Sequence, residues 1–90
     1  MTPAGSGNRI AAIRSRLTVA LEPQILEITD ESHLHVGHAG AQDGRGHFHV
    51  RIACARFNGL SRLAQHRLVY DALGDLMTTD IHALRISAET

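Results

Sequence analysis

Across the nine residues His47–Ala55 (HFHVRIACA), the larger apolar side chains fall at every second position, and a period of two admits one local structure. Phe48, Val50, Ile52 and Cys54 share one face of an extended chain, and His47, His49 and Arg51 share the other. The segment therefore reads as a half-buried strand with its polar face toward solvent. A second short run, Gln24–Asp30 (QILEITD), is rich in β-formers and puts Leu26 and Ile28 on one side. The two pair naturally as a hairpin. Their connection, Glu31–Gly46, is longer than the roughly 12–15 residues at which structureless loops in a compact domain become uncommon and functional.

Helical periods flank this hairpin. Asn8 is an expected N-cap for Ile10, Ile13, Leu17, Ala20 and Leu21 at helical spacing, and Pro23 disfavours helical geometry at Glu22. Beyond a turn at Phe57-Asn58-Gly59, Ser61 can cap a helix reaching about Met77. From Leu68 onward, Val69, Ala72, Leu73, Leu76 and Met77 form its apolar face, opposite Arg67, Asp71, Gly74 and Asp75. Gln65 and His66 fall on the apolar side of that register, so a separate short turn is expected before the main helix. Ile81–Ala88 (IHALRISA) closes the chain as a strand, with His82, Leu84, Ile86 and Ala88 on one face.

The resulting order, αββ(α)αβ, is that of a two-layer α+β sandwich with helices on one face of a three-stranded sheet. If the second and third strands are parallel neighbours, the helix between them makes a right-handed crossover.

The 90 residues suffice for one domain, hiding roughly two-thirds of the unfolded chain's surface. Met1–Gly7 (MTPAGSG) reads as a flexible tail and 8–90 as the folded unit. With 43% hydrophobic and 20% charged residues, disorder is not expected. Nine basic residues, all arginine, balance nine acidic ones. A formal charge of zero argues against a dedicated nucleic-acid binder but permits a local basic patch. No apolar run of transmembrane length and no secretory leader is present, so the expectation is a cytoplasmic protein without a membrane partner. A single cysteine closes no internal disulfide and cannot by itself supply the four thiolates of an iron–sulfur site.

Seven histidines are the chemical oddity of the chain. His33, His35, His38, His47 and His49 lie in one stretch, with His66 and His82 beyond it. Imidazole is the commonest protein metal ligand and titrates near neutrality. Several of these side chains are expected to be plain solvated residues all the same.

The chain resembles the BolA family over nearly its whole length. The residues that carry the likeness are Asp30-Glu31-Ser32, His35-Val36-Gly37-His38, His47-Phe48 and Phe57-Asn58-Gly59-Leu60-Ser61, followed by His66-Arg67-Leu68-Val69-Tyr70 and Ile81-His82-Ala83-Leu84. Each piece alone is weak; six in this order are specific. Gln65 stands where an arginine often precedes the His-Arg pair, and the 31–46 loop is longer than in the founding type. The resemblance implies a fold similar to the type II KH domain, with a mixed three-stranded sheet. Gly37-His38-Ala39-Gly40 matches that domain's Gly-x-x-Gly signature literally, but it falls between the first two strands rather than between two helices.

The resemblance further implies a monothiol glutaredoxin as partner and a shared [2Fe–2S] cluster as cofactor. The glutaredoxin gives one cysteine, bound glutathione gives another, and this chain adds a C-terminal histidine and a loop donor. His82 occupies the position carried over as the C-terminal ligand. Taken from its strand alone, His82 is a core histidine satisfied by the backbone. Counting forward from Asp30-Glu31-Ser32 makes His35 the loop ligand, and counting back from His47-Phe48 makes it His38. Both stay open, with His38 ranked slightly first and the other as a supporting group or alternative ligand.

His33 and His49 are expected to be solvated, His47 a surface residue more than a site residue, and Cys54 an inert core residue. Replacing two thiolates by imidazoles removes negative charge from a cluster, raises its potential and makes it labile in mild acid. The function so implied is an adaptor that caps a glutaredoxin-bound cluster. The alternative is a DNA-binding transcription regulator presenting Arg62, His66 and Arg67 to phosphate, which a steep salt dependence would support. A zinc enzyme using the loop histidines is disfavoured, because a glycine-rich loop fixes ligands poorly and no general base stands out. No enzyme is expected. The isolated chain is read as a monomer or a weak homodimer.

Overall fold

The computed structural model describes residues 6–32 and 46–90. Along the chain run α1 (Ser6–Leu21), β1 (Ile25–Asp30), β2 (Gly46–Ala53), a single 3-10 turn at Ala55–Phe57, α2 (Arg62–Leu73), α3 (Leu76–Thr79) and β3 (Ile81–Glu89). The strands form one sheet in the order β1-β2-β3. β1 and β2 are antiparallel and β2 and β3 parallel, as expected for a mixed sheet.

The alternation in β2 is realised as read: Phe48, Val50 and Ile52 are buried against Ile13, Leu17 and Leu21 of α1 and Val69 and Leu73 of α2. Cys54 lies one residue past the strand and is fully buried, together with Phe57 from the 3-10 turn. Leu26 and Ile28 of β1 pack on the rim of this core. Burying roughly ten large side chains at about 1.5–3 kcal/mol each is the main term holding the two layers together.

α1 begins at Ser6, ahead of the expected cap at Asn8. It ends at Leu21 because Pro23 excludes helical geometry from its predecessor; Glu22 turns to φ 49° instead. Its N–H still donates to Thr18 O at 3.1 Å, closing the last turn.

Ser61 caps α2 as expected, its Oγ accepting from Ala64 N at 3.1 Å. The expected continuous helix to Met77 is broken at Gly74, where φ 54° and ψ −125° lie outside helical space and the chain restarts as α3. The separate short turn expected at Gln65 and His66 is not formed: both residues lie inside the continuous α2, and the 3-10 turn at Ala55–Phe57 precedes the Ser61 cap. Gln65 explains its own misplacement on the apolar side, since its Nε2 donates to the carbonyls of Phe57 and Leu60, each at 3.2 Å.

Three side-chain placements depart from the sequence reading, those of His82, His47 and, on the outer face of the sheet, His49. His82 was expected on the core face of β3, whereas it is exposed and Ile81 is buried in its stead. The cause is a register shift: Gly46 pairs with Ile81 but His47 pairs with Ala83, so residue 82 is an extra residue at a bulge. One inserted residue reverses the side on which every preceding side chain falls. Leu84, Ile86 and Ala88, beyond the bulge, do pack on the core as expected. His47 was expected on the solvent side, whereas only 7% of its surface is exposed.

Candidate metal-ligand site at the His82 end of the sheet

The edge of the sheet where β1 ends and β2 and β3 begin is tied together by backbone contacts. Asp30 closes β1 and accepts from Ser32 N through Oδ1 at 2.8 Å, turning the chain out of the strand. Ser32 Oγ accepts from His47 N at 3.0 Å, and Glu31 N donates to His47 O at 2.7 Å. Gly46 N donates to Asp80 O at 2.9 Å, two residues before His82. Both flanks of the 33–45 segment are thus fastened beside the start of β3.

At this edge the bulge brings His82 to His47. Their ring centroids lie 5.0 Å apart with the planes inclined at 49°. The His82 ring is open to solvent, while both ring nitrogens of His47 are shielded. Next to the pair, Glu31, His47, Phe48, Ala83, Leu84 and Arg85 line a cavity of about 250 Å³. Arg85 spans it with an ion pair to Glu31 at 2.6 Å. Hydrogen bonding to Glu31 pushes the Arg85 guanidinium further above its ordinary pKa, so it stays charged wherever the protein is folded.

His35 and His38, the expected loop ligands, and His33 with them, lie outside the described residues. Among the described residues, no group of three or more histidine, cysteine, aspartate and glutamate side chains is placed to hold a metal. Cys54, at 0% exposure in the core, is where the sequence put it and out of reach of any external metal centre. His49, expected to be a plain exposed residue, is half-buried, with Nε2 2.8 Å from Ser87 Oγ on the outer face of the sheet.

The residues expected as a partner or nucleic-acid surface occupy the other end of β3. Arg62, Gln65 and His66 of α2 face Ile86, Ser87 and Ala88 across a groove of about 330 Å³. Arg67 is exposed on the same helix. The formal charge of zero hides a segregation: Arg16, Arg51 and Arg85 pair with carboxylates. Among the described residues, Arg56, Arg62 and Arg67 have no hydrogen-bond or ion-pair partner, and no acidic residue occurs between positions 55 and 70. His47, expected from sequence as a surface residue with at most a low-ranked role in such a partner or nucleic-acid face, instead joins His82 at the opposite end.

Over residues 17–90 the chain matches the family model of the BolA-like proteins. The chain belongs to the BolA-like family. It is 42% identical over 87 residues to BolA-like protein 1 of Mus musculus, covering 97% of this chain and 61% of the mouse protein. It therefore spans less than two thirds of that relative's length. Among solved structures it superposes on the BolA domain of SufE1 from Arabidopsis thaliana with a TM-score of 0.84 at 42% identity, covering 96% of this chain and 95% of that one. It is also 36% identical over 78 residues to the DNA-binding transcriptional regulator BolA of Escherichia coli strain K12, covering 87% of this chain and 71% of the relative. The BolA-like fold expected from sequence is thus the fold of the chain. Its buried His47 is the site feature that residue alternation could not find.

Proposed function

We propose that this BolA-like chain is an adaptor that binds a monothiol glutaredoxin and adds histidine donors to a [2Fe–2S] cluster bridging the two proteins, in cluster trafficking or in iron and redox regulation. The observation that supports this most is the fastening of both flanks of the 33–45 segment beside His82. The ends of that segment, Ser32 and Gly46, are fastened beside the start of β3, and the sequence between them holds His35 and His38. The donor chemistry fits a cluster with mixed ligands. His82 is an exposed imidazole at the start of a strand, and the sole thiol of the chain is buried, so thiolate donors come from the partner and its glutathione. Bound there, the cluster supplies one-electron redox chemistry and is itself the cargo. The work of this chain is to hold His82 on a rigid sheet end while the segment bearing His38 and His35 supplies the second donor.

The test is anaerobic assembly of the complex from this chain, a monothiol glutaredoxin, glutathione, iron and sulfide, followed by visible circular dichroism. A spectrum distinct from that of the glutaredoxin alone, lost with His38→Ala or with His35→Ala, supports the adaptor and names the loop donor. A spectrum unchanged by adding this chain overturns it.

A second reading rests on the arginines of α2 that pair with no carboxylate among the described residues. Arg62 and His66 line a groove suited to phosphate, Arg67 is exposed on the same helix, and a relative bears the name of a DNA-binding regulator. Neutralising three phosphates would give a slope of about −3 in log affinity against log salt. Duplex binding that is independent of salt, or absent at low salt, removes this reading.

A further inference from the structure

The His47–His82 contact is made between an immobile ring and an exposed one. His47 is held on both sides of its backbone, its N–H by Ser32 Oγ at 3.0 Å and its carbonyl by Glu31 N at 2.7 Å. The residue is only 7% exposed and both ring nitrogens are shielded, so a change of rotamer would displace packed neighbours. His82 has no such enclosure: it sits on the extra residue of a bulge, with its ring exposed. An exposed histidine samples several rotamers, and a ligand that must be fixed at the moment of binding loses that freedom then. A ligand already resting against a wall loses less.

The bulge matters here because it turns His82 outward, onto the side where His47 stands. In an unbroken ladder residue 82 would fall on the core side and the two rings would not meet. The register shift and the burial of His47 therefore act on one imidazole. Of its described neighbours along β3, Ala83 has no reach and Arg85 is committed to Glu31.

We propose that His47 is a positioning residue: its buried ring is the wall against which the imidazole of His82 is oriented for an incoming metal centre. This inference rests on the adaptor reading for its purpose, but the contact itself is testable without a metal. It requires a ring at position 47 and not its nitrogens, so phenylalanine should substitute for it while small or aliphatic residues should not.

The experiment compares the full chain with His47→Phe, His47→Ala and His47→Val; valine removes the ring but keeps a good strand former. Side-chain three-bond couplings and ring-to-ring nuclear Overhauser effects of His82 are recorded on the metal-free protein. The same four proteins are then carried into the glutaredoxin complex, and the affinity for the cluster and its visible circular dichroism are measured. Wild type and His47→Phe are expected to hold His82 in one rotamer. In the alanine and valine variants the couplings should average, the cluster affinity should fall about 10-fold, and the dichroism bands should shift, with His47→Phe restoring all three. Unaveraged couplings for His82 in the folded alanine or valine variant overturn the proposal, as does a folded His47→Phe that behaves like alanine. If wild type forms no cluster-bearing complex, the adaptor reading fails, and the metal-free couplings decide the positioning role by themselves.

Discussion

Gly46 and Phe48 leave no room between them for a methyl group. A Cβ built on Gly46 would stand 2.5 Å from Cε2 and 2.7 Å from Cζ of the Phe48 ring, and 3.2 Å from Ser32 Oγ. Phe48 is only 2% exposed and packed among core residues, so its ring cannot swing away at little cost. Gly46 is also where the ladder to β3 slips by one residue. The glycine thus serves the core, the bulge and the anchor of the 33–45 segment together.

Gly46→Ala is accordingly expected to destabilise the protein by about 1–3 kcal/mol, the usual range for overpacking a dense core. The measurement is the midpoint of urea unfolding. Because the same step sets the bulge, the coupling pattern of His82 should change in the folded variant as well.

Removing the hydroxyl of Ser32 leaves His47 N without its acceptor and unties one flank of the 33–45 segment. Ser32→Ala should cost about 1 kcal/mol in denaturant unfolding, the net worth of one such hydrogen bond. Amide exchange at His47 should rise relative to Val50 in the middle of the same strand. Equal exchange of the His47 amide in variant and wild type would contradict the anchoring role.

Cys54 is fully buried in the core and is not part of the proposed donor set. In the native protein its thiol should react with a disulfide reagent about 10³-fold or more slowly than in denaturant, because reaction waits on opening. Cys54→Ala should still give the cluster-bearing complex. Loss of that complex in a folded Cys54→Ala protein would return the thiol to the site.

Ser61 satisfies one amide of the first turn of α2 through Ala64 N. Ser61→Ala should lower stability by about 1 kcal/mol. That helix also presents Arg62 and His66 to the groove, so fraying of its first turn should appear there first, as line broadening of their backbone resonances. The glutaredoxin-dependent spectrum should be unaffected, since that site lies at the opposite end of β3.

Much of this fold was legible because its signals are local. The alternation of Phe48, Val50 and Ile52 needs only the two-residue period of a strand, and the end of α1 at Leu21 needs only the geometry of Pro23. The cap at Ser61 is likewise a matter of one hydroxyl and one amide. What escaped the sequence reading depends on relations between segments. His82 faces outward because of a one-residue slip against Gly46, and no property of IHALRISA by itself discloses a slip. His47 has the outward parity of β2 and is nonetheless shielded, since burial at a strand's end depends on what neighbouring strands bring to it. The break at Gly74 is a third case: a lone glycine in a helical period is compatible with an unbroken helix, and the φ of 54° there is adopted in the tertiary setting. The histidine count drew attention to metal binding, whereas the shielded ring beside His82 emerged only once three strands were placed together.

The central claim is that His82 is the exposed donor through which this BolA-like chain holds a shared cluster, and one substitution tests it most directly. Visible circular dichroism of the anaerobically assembled mixture with a monothiol glutaredoxin and glutathione is to be compared for wild type and His82→Ala. Because His82 lies outside the core, the variant should fold with nearly unchanged stability. The account predicts a wild-type spectrum distinct from that of the glutaredoxin alone, and for His82→Ala a return to the glutaredoxin-only spectrum. A His82→Ala mixture that retains the wild-type bands would contradict it.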